Sequence, residues 1–429
     1  MSISMSPLWV PVDLCDANIT VTTQADIDNL RSTLSDTCFN NITITDAQGT
    51  LVFVNFTEAN GLYVQDSPNL EVLSFPDLFK LSALGVYNSS ALSNISLPEV
   101  QSVGLLPYGN GGWEVPPPWP GAEDRNLIDV TINNAPALET IDFGFLSGFL
   151  NLRVTDADSL SRPPDEGGYW EGVVSMLNSS DTLSLDGCYN LANLNWALFV
   201  TIVGRNDCDY LLANLRSVLN LTLVDTAASG LAINPPFMIN GSLAVHSLYL
   251  PPENSSSYLG GFDYVSSIGY HVNFTSNENV DLSLSEVETL GGDLIASGNT
   301  NCIFYFDKMS EITGNISITD NPNSTIPWFP ELRRADNIHL RGNVDTSEGP
   351  NIFPALTTVP GTVTIEAWNS DFDCSQLVKQ ARAGIIRNLV CNGTDGTQNG
   401  APSSLSGSAW SGVCVAVGIV VLQAVVTIW

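Results

Sequence analysis

Between Val272 and Asp345 the chain repeats itself every 22 residues. Val272, Leu294, Ile316 and Ile338 share that step, as do Asn277, Asn299, Asn321 and Asn343, and Leu282, Phe304 and Ile326. A second polar column keeps the same spacing: Asn279, Asn301, Asn323 and then Asp345. One repeat of that length cannot bury its own apolar face, so each must be a coil of a solenoid whose neighbours complete its core. The pairs Val272/Phe274, Ile316/Ile318 and Ile338/Leu340 alternate with polar residues, which predicts a short strand at the start of each coil. Stacking sets these strands side by side, about 4.8 Å apart, in a parallel sheet. The asparagines fall in the turn after the strand, where Asn tolerates left-handed backbone and bonds nearby amides. Repeated at one corner, such amides can form a ladder along the stack.

The same phase occurs earlier in the chain. Leu62/Val64, Leu84/Val86, Val130/Ile132 and Leu152/Val154 read as strand pairs. Asp66, Asn88, Asn134 and Asp156 take the turn, and Leu70, Leu92, Leu138 and Leu160 point inward. Ile42/Ile44 and Val52/Val54 read as the first strands, and Asp66-Ser67-Pro68-Asn69 matches Asp320-Asn321-Pro322-Asn323. Two segments interrupt this first array: 107–120, which carries Trp113 and Trp119, and 162–172, which carries Tyr169 and Trp170. Insertions in solenoids become loops, often on a binding face. These four rings are therefore candidate glycan- or protein-contact residues. The competing reading folds them down as a lid over a coil.

From Leu183 to Leu250 the phase blurs, although Leu183/Leu185, Leu221/Leu223 and Leu248/Leu250 look like strand pairs. This stretch reads as the junction between two lobes, 15–180 and 181–392. The expected fold is thus mainly β: a right-handed parallel β-solenoid of about 22-residue coils, in two lobes, with short capping helices at the ends.

Both ends carry cap signals. Cys15 and Cys38 bracket a helical pattern in which Thr23 and Asp26 have capping-box spacing and Ile27, Leu30 and Leu34 share a face. A disulfide across it would contribute roughly 3 kcal/mol. Cys374 and Cys391 enclose a second helical face, Leu377, Ala381 and Ile385, which a disulfide would again close. Cys188 and Cys208 are near enough in sequence to be bridged around Leu191, Leu194 and Trp196. Cys302 is left over at the repeat position of Val280, a core position, so it reads as a buried thiol.

Composition bears on compartment and partners. Of 429 residues, 45 are Asp or Glu and 14 are Lys or Arg, for a net charge of −31, which argues strongly against nucleic acid as a partner. Only 14% of residues are charged, and Ser, Thr and Asn carry the surface polarity instead. Thirteen N-x-S/T sequons begin at Asn18, Asn41, Asn55, Asn88, Asn94, Asn178, Asn220, Asn240, Asn254, Asn273, Asn315, Asn323 and Asn392. They point to an extracellular glycoprotein, with Asn273 and Asn315 beside strand residues. Residues 1–14 hold no basic segment followed by an apolar run, so no signal peptide is recognisable. That leaves two readings, a displaced or incomplete start or a cytosolic protein with idle sequons. After Cys391 a small polar linker, 393–412, precedes an apolar tail, 413–429. Small residues, a polar spacer and a terminal apolar tail form the signal for GPI attachment. Asn399-Gly400-Ala401 fits the attachment site, with Ser403 and Ser404 as alternatives, and a true membrane anchor is the competing reading.

No HExxH, paired-cysteine, G-x-S-x-G or P-loop motif occurs, so no metal, cofactor or catalytic residue is expected. His271 and His339 are expected to face outward on the sheet, and His246 has no visible partner. The enzyme alternative is a polysaccharide hydrolase or lyase with carboxylates paired across coils. Asp156 and Asp158 are its nominees, and both match turn positions of the preceding coil.

The Cys15…Cys38 cap, the 22-residue coils, the Asp371-Phe372-Asp373-Cys374 to Cys391 closure and the GPI-type tail together resemble a known family. It is that of fungal GPI-anchored cell-wall-organisation and sporulation proteins, built from receptor L-domain (leucine-rich-like) repeats. The resemblance covers roughly residues 15–429. It implies a non-enzymatic surface protein that supports wall integrity. Such a protein would be heavily mannosylated and held at the outer leaflet of the plasma membrane or cross-linked to wall glucan or other wall glycoproteins. A glycan- or protein-binding module using the aromatic insertions is the second functional reading.

Overall fold

In the computed structural model of the protein, the described residues are 17–33, 38–100, 127–143, 148–157, 159–160, 179–186, 196–203, 211–212, 215, 217–225, 232–233, 237–249 and 262–394. They form a mainly β parallel solenoid of about 12 turns with a spacing near 22 residues. One long sheet opens with Asn18–Val21 and Cys38–Thr45 and closes with Val359–Ala367 and Ile386–Cys391. Each strand in it pairs in parallel with the strands of the coils before and after. In the regular part the sequence step is the register: Val272 pairs with Leu294, Leu294 with Ile316 and Ile316 with Ile338. Shorter parallel ladders run along the later part of the coils. One contains Gln48–Val52, Asn69–Ser74, Asn94–Ser96 and Thr140–Asp142. Another runs from Ser217–Val218 to Glu311–Ile312.

The alternating residues of these ladders share a single apolar core. Phenylalanines from successive coils stack within it, Phe53 on Phe75 with ring centroids 4.1 Å apart. Phe306, Phe329 and Phe353 continue the pattern at 5.5 and 5.6 Å.

The turn after each strand is the second organising element. Its first residue is left-handed in both arrays: Asp66 (φ 47°), Asn88 (φ 51°), Asn134 (φ 55°) and Asp156 (φ 51°), then Ser276 (φ 56°), Gly298 (φ 65°) and Asp320 (φ 56°). Asp, Asn, Ser and Gly recur there because a bulkier or β-branched side chain would be strained at that φ. The next residue turns into the core. In the second array it is Asn277, Asn299 and Asn321, all buried. Asn277 Nδ2 donates to Asn299 Oδ1 (2.7 Å), and Asn299 Nδ2 donates to Asn321 Oδ1 (2.8 Å). The same three side-chain amides also donate to the carbonyls of Val245, Phe274 and Ala296 at 3.1, 2.9 and 3.0 Å. The main-chain N–H groups of Leu248, Asn277 and Asn299 complete the acceptors at 2.8, 3.1 and 2.9 Å. In the first array serine takes this place. Buried Ser67 accepts from Ala47 N (3.2 Å) and donates to Gln65 O (3.0 Å).

The structure corrects several expectations. Asn343 is exposed and outside the ladder, because its strand, Asn337–Val344, runs straight on through the turn position and pairs Asn343 with Thr325. The boundary expected at 180/181 falls inside the strand Ser179–Asp186, which pairs on both sides, so the long sheet does not divide there. A coil was missed in that region: Trp196–Val203 is a strand, and Leu183 pairs with Val200, a step well short of the usual one. Leu248 is not a strand residue. The strand is Leu243–His246, and Leu248 is the buried turn residue, at the position of Asn277 one coil later. The following step, Leu243 to Val272, spans 29 residues, as does Leu248 to Asn277, which hides the phase. Near the start, Leu51 and Phe53 point inward, not Val52 and Val54.

Helices cover both ends. In α1 (Gln24–Thr33), Ile27 is buried, and Gln24 bonds both Val52 N (2.9 Å) and Val52 O (3.1 Å), continuing the edge of the shorter ladder. Asp26 accepts from Thr23 N (2.8 Å), and Asp26 N donates to Thr23 Oγ1 (3.3 Å), the expected reciprocal cap. Cys38 is disulfide-bonded, while Cys15, Cys188 and Cys208 lie outside the described residues. At the other end, α2 (Ser375–Arg382) packs Leu377, Val378 and Ala381 on the core, and Cys374 is bonded to Cys391.

Two outcomes are expected. Asn299→Ala removes the acceptor of two buried Asn277 donors and should lower stability by about 3 kcal/mol. Asn343→Ala should change it by less than about 0.5 kcal/mol. Denaturant midpoints would read both, and equal losses would deny the ladder its role. Asp26 has a pKa below its ordinary 3.8 because the Thr22 and Thr23 hydroxyls and amides bond its carboxylate. Its contribution is therefore complete above pH 3.8 and disappears as pH falls through the lower folded value. Amide exchange in α1 should accelerate over that acid range, and Asp26→Ala should bring the fast exchange to neutral pH.

Candidate functional site

The regular stacking breaks once within the second array, and a cleft opens there. Ile338 pairs with Val363 after 25 residues, the same step that separates Asn337 from its bonded partner Thr362 and three more than the usual one. The surplus stands out as the loop at 345–350, where Ser347 and Glu348 are exposed and Gly349 adopts φ 112°. This loop walls a cleft of about 710 Å³, within the roughly 300–1,000 Å³ of small-ligand sites.

Three successive coils line it. Cys302 and Phe304, both nearly buried, belong to the first, along with Asn301, Tyr305 and Asp307. Asn323, Thr325, Pro327, Trp328 and Pro330 come from the second, and Asp345, Ser347 and Glu348 from the third. Asn301 and Asn323 hold the left-handed turn at φ 53°. Trp328 is half-buried and fixed by its indole N–H, which donates to Asn351 O (2.8 Å). The Tyr305 ring is 51% exposed. Asp345 accepts from Ser347 N (2.9 Å), which shapes the start of the loop. Asp307, Asp345 and Glu348 line the cleft without any Lys, Arg or His. An anion is thereby repelled, whereas hydroxyl donors meet carboxylate acceptors beside two aromatic rings.

The Cys302 thiol sits 3.4 Å from both Asn277 O and Thr300 O, and its main-chain N donates to Ser324 Oγ (2.9 Å). Burial pushes its pKa up to about 11, so little thiolate exists at neutral pH. It is free and buried, as its repeat position implies.

Of the residues singled out from sequence, Trp113, Trp119, Tyr169, Trp170 and Asn399 lie outside the described residues, as do the sequons Asn178 and Asn254. Asp156 is a left-handed turn residue in the column of Asn134, and Asp158 is not described. His271 and His339 face outward on the long sheet in different coils. His271 Nδ1 accepts from Asp293 N (2.9 Å), and His339 Nε2 lies 3.3 Å from Glu366. His246 has its pKa lowered by burial, against the opposing charge of Asp225. Asp281 has its pKa raised by burial, but its carboxylate is held by the Ser283 N–H and hydroxyl in a turn of its own chain. Among the described residues no cluster of His, Cys, Asp or Glu is placed to hold a metal ion, and no helix is long and apolar enough to cross a membrane.

Outward positions on the long sheet present hydroxyls in register, among them Thr43, Thr131, Thr201, Thr222, Ser317 and Thr364. Tyr305 and Trp328 were missed as site residues. Their signal was the apolar run Phe304-Tyr305-Phe306, in which alternation must leave the middle ring outside, and the prolines flanking Trp328. No protein-family model, curated protein or solved structure matches the chain.

Iodoacetamide at neutral pH is expected to leave Cys302 unmodified in the folded protein and to label it only under denaturant. Labelling at the rate of a free peptide thiol would mean that the floor of the cleft is open.

Proposed function

We propose that the chain is a non-enzymatic, GPI-anchored cell-surface glycoprotein that supports fungal cell-wall organisation. It would be held at the outer leaflet of the plasma membrane through its lipid, or in the wall through glucan or other wall glycoproteins. The position of the sequons carries this reading. Thirteen occur, and with Asn178 and Asn254 outside the described residues eleven remain. None of the eleven asparagines is buried. The described asparagines that are buried, Asn277, Asn299 and Asn321, begin no sequon. A large hydrophilic glycan demands surface attachment, and idle sequons carry no such constraint.

Two further features support a role outside the cell. Disulfides occur near both ends of the solenoid, as suits an oxidising compartment. The outer face of the long sheet is rich in hydroxyls, suited to contact with neutral polysaccharide.

In a fungal host the chain should lose apparent mass on N-glycosidase treatment. Phosphatidylinositol-specific phospholipase should release the lipid-held form from intact cells, and glucanase the wall-linked form. Deletion of the gene should sensitise cells to wall-binding dyes. A chain that no glycosidase shifts and neither release enzyme liberates would overturn the reading.

A further inference from the structure

Asn323 is the one sequon asparagine that lines the cleft. It is exposed and left-handed, at the end of the column Asn279, Asn301, Asn323. Asn301 Nδ2 donates to Asn279 Oδ1 at 3.0 Å. Asn323 does not extend this pattern: among the described residues its side-chain amide makes no hydrogen bond. The amide that a glycan would occupy is thus free of the ladder within the cleft.

We propose that the cleft is the seat of an N-linked glycan carried by Asn323, whose first sugars pack on Tyr305 and Trp328. This rests on the extracellular reading above. During secretion Asn323 Nδ2 would attack the anomeric carbon of a polyprenyl-diphosphate-linked oligosaccharide. An N–C bond forms, the bond from that carbon to the diphosphate oxygen breaks, and one amide proton is lost. Transfer acts on the unfolded chain, so the later burial of Ser324 does not obstruct it, and Thr325 supplies the hydroxyl of the sequon.

The lining suits such an occupant. An N-acetylhexosamine is neutral, with an apolar C–H face and several hydroxyl donors. The exposed Tyr305 ring and the anchored Trp328 indole offer flat apolar surface. Asp307, Asp345 and Glu348 accept hydroxyl protons, and their joint charge rejects anionic competitors. Covalent attachment makes the association intramolecular, so modest stacking suffices to hold the sugar.

The test uses the full chain expressed in a fungal host behind a heterologous signal peptide, with site-resolved glycopeptide mass spectrometry. Asn323 should be occupied. An endoglycosidase acting on the folded protein should release its glycan about tenfold more slowly than those of exposed Asn55 and Asn240. Tyr305→Ala should abolish this protection and Tyr305→Phe restore it, while the rates at Asn55 and Asn240 stay unchanged. Tyr305 is half-exposed, so its removal does not threaten folding. If Asn323 is empty while Asn55 and Asn240 are occupied, the proposal falls and the extracellular reading stands. Release at the same rate from all three sites in the unaltered protein also overturns it. If no sequon is occupied, both fall together.

Discussion

Buried amides that are satisfied by neighbouring coils hold the second array in one register. Asn277, Asn299 and Asn321 each place a side-chain amide in the core, where an unpaired donor is costly. Asn277 and Asn299 find partners in the coils on both sides, and Asn321 finds them in the coil before it. A slip of one residue would remove those partners and turn the strand's apolar residues outward at the same time. Apolar packing supplies most of the favourable energy, since the core is almost wholly Leu, Ile, Val and Phe. It is the polar ladder that distinguishes one stacking from its near neighbours.

The first array reaches the same geometry with different chemistry. Ser67 and Ser89 occupy the buried corner and donate to carbonyls of their own coil, while exposed Asn88 and Asn134 link coils from the neighbouring position. The left-handed residue before the corner is common to both arrays. Backbone conformation is therefore the shared requirement, and the hydrogen-bonding side chain can move by one position around it.

The cleft follows from the failure of the ladder. Asn343 leaves the corner because its strand runs on, and the coil that follows is longer than the repeat. One irregularity both ends the amide column and raises the wall that encloses Tyr305 and Trp328. A perfect solenoid presents the same surface at every coil, so a distinct site has to come from a departure of this kind.

The periodic features were legible in the sequence because a constant step becomes a constant register: the strand pairs of the second array, the turn columns, the two caps and the buried Cys302. Leu248 and the strand Trp196–Val203 were misread because one short coil and one long coil shift the phase, and apolar residues in turn and strand then look alike. The lobe boundary was inferred from that same loss of phase, but backbone pairing continues wherever strands meet, whatever the length of the loops between them. The sequence by itself determined the parallel stacking and the identity of the corner residues, since both depend on local preference repeated at equal intervals. Only the tertiary structure decided which asparagine left the column and which rings faced a common cleft. Those outcomes depend on how three unlike coils pack together, and no single repeat contains that information.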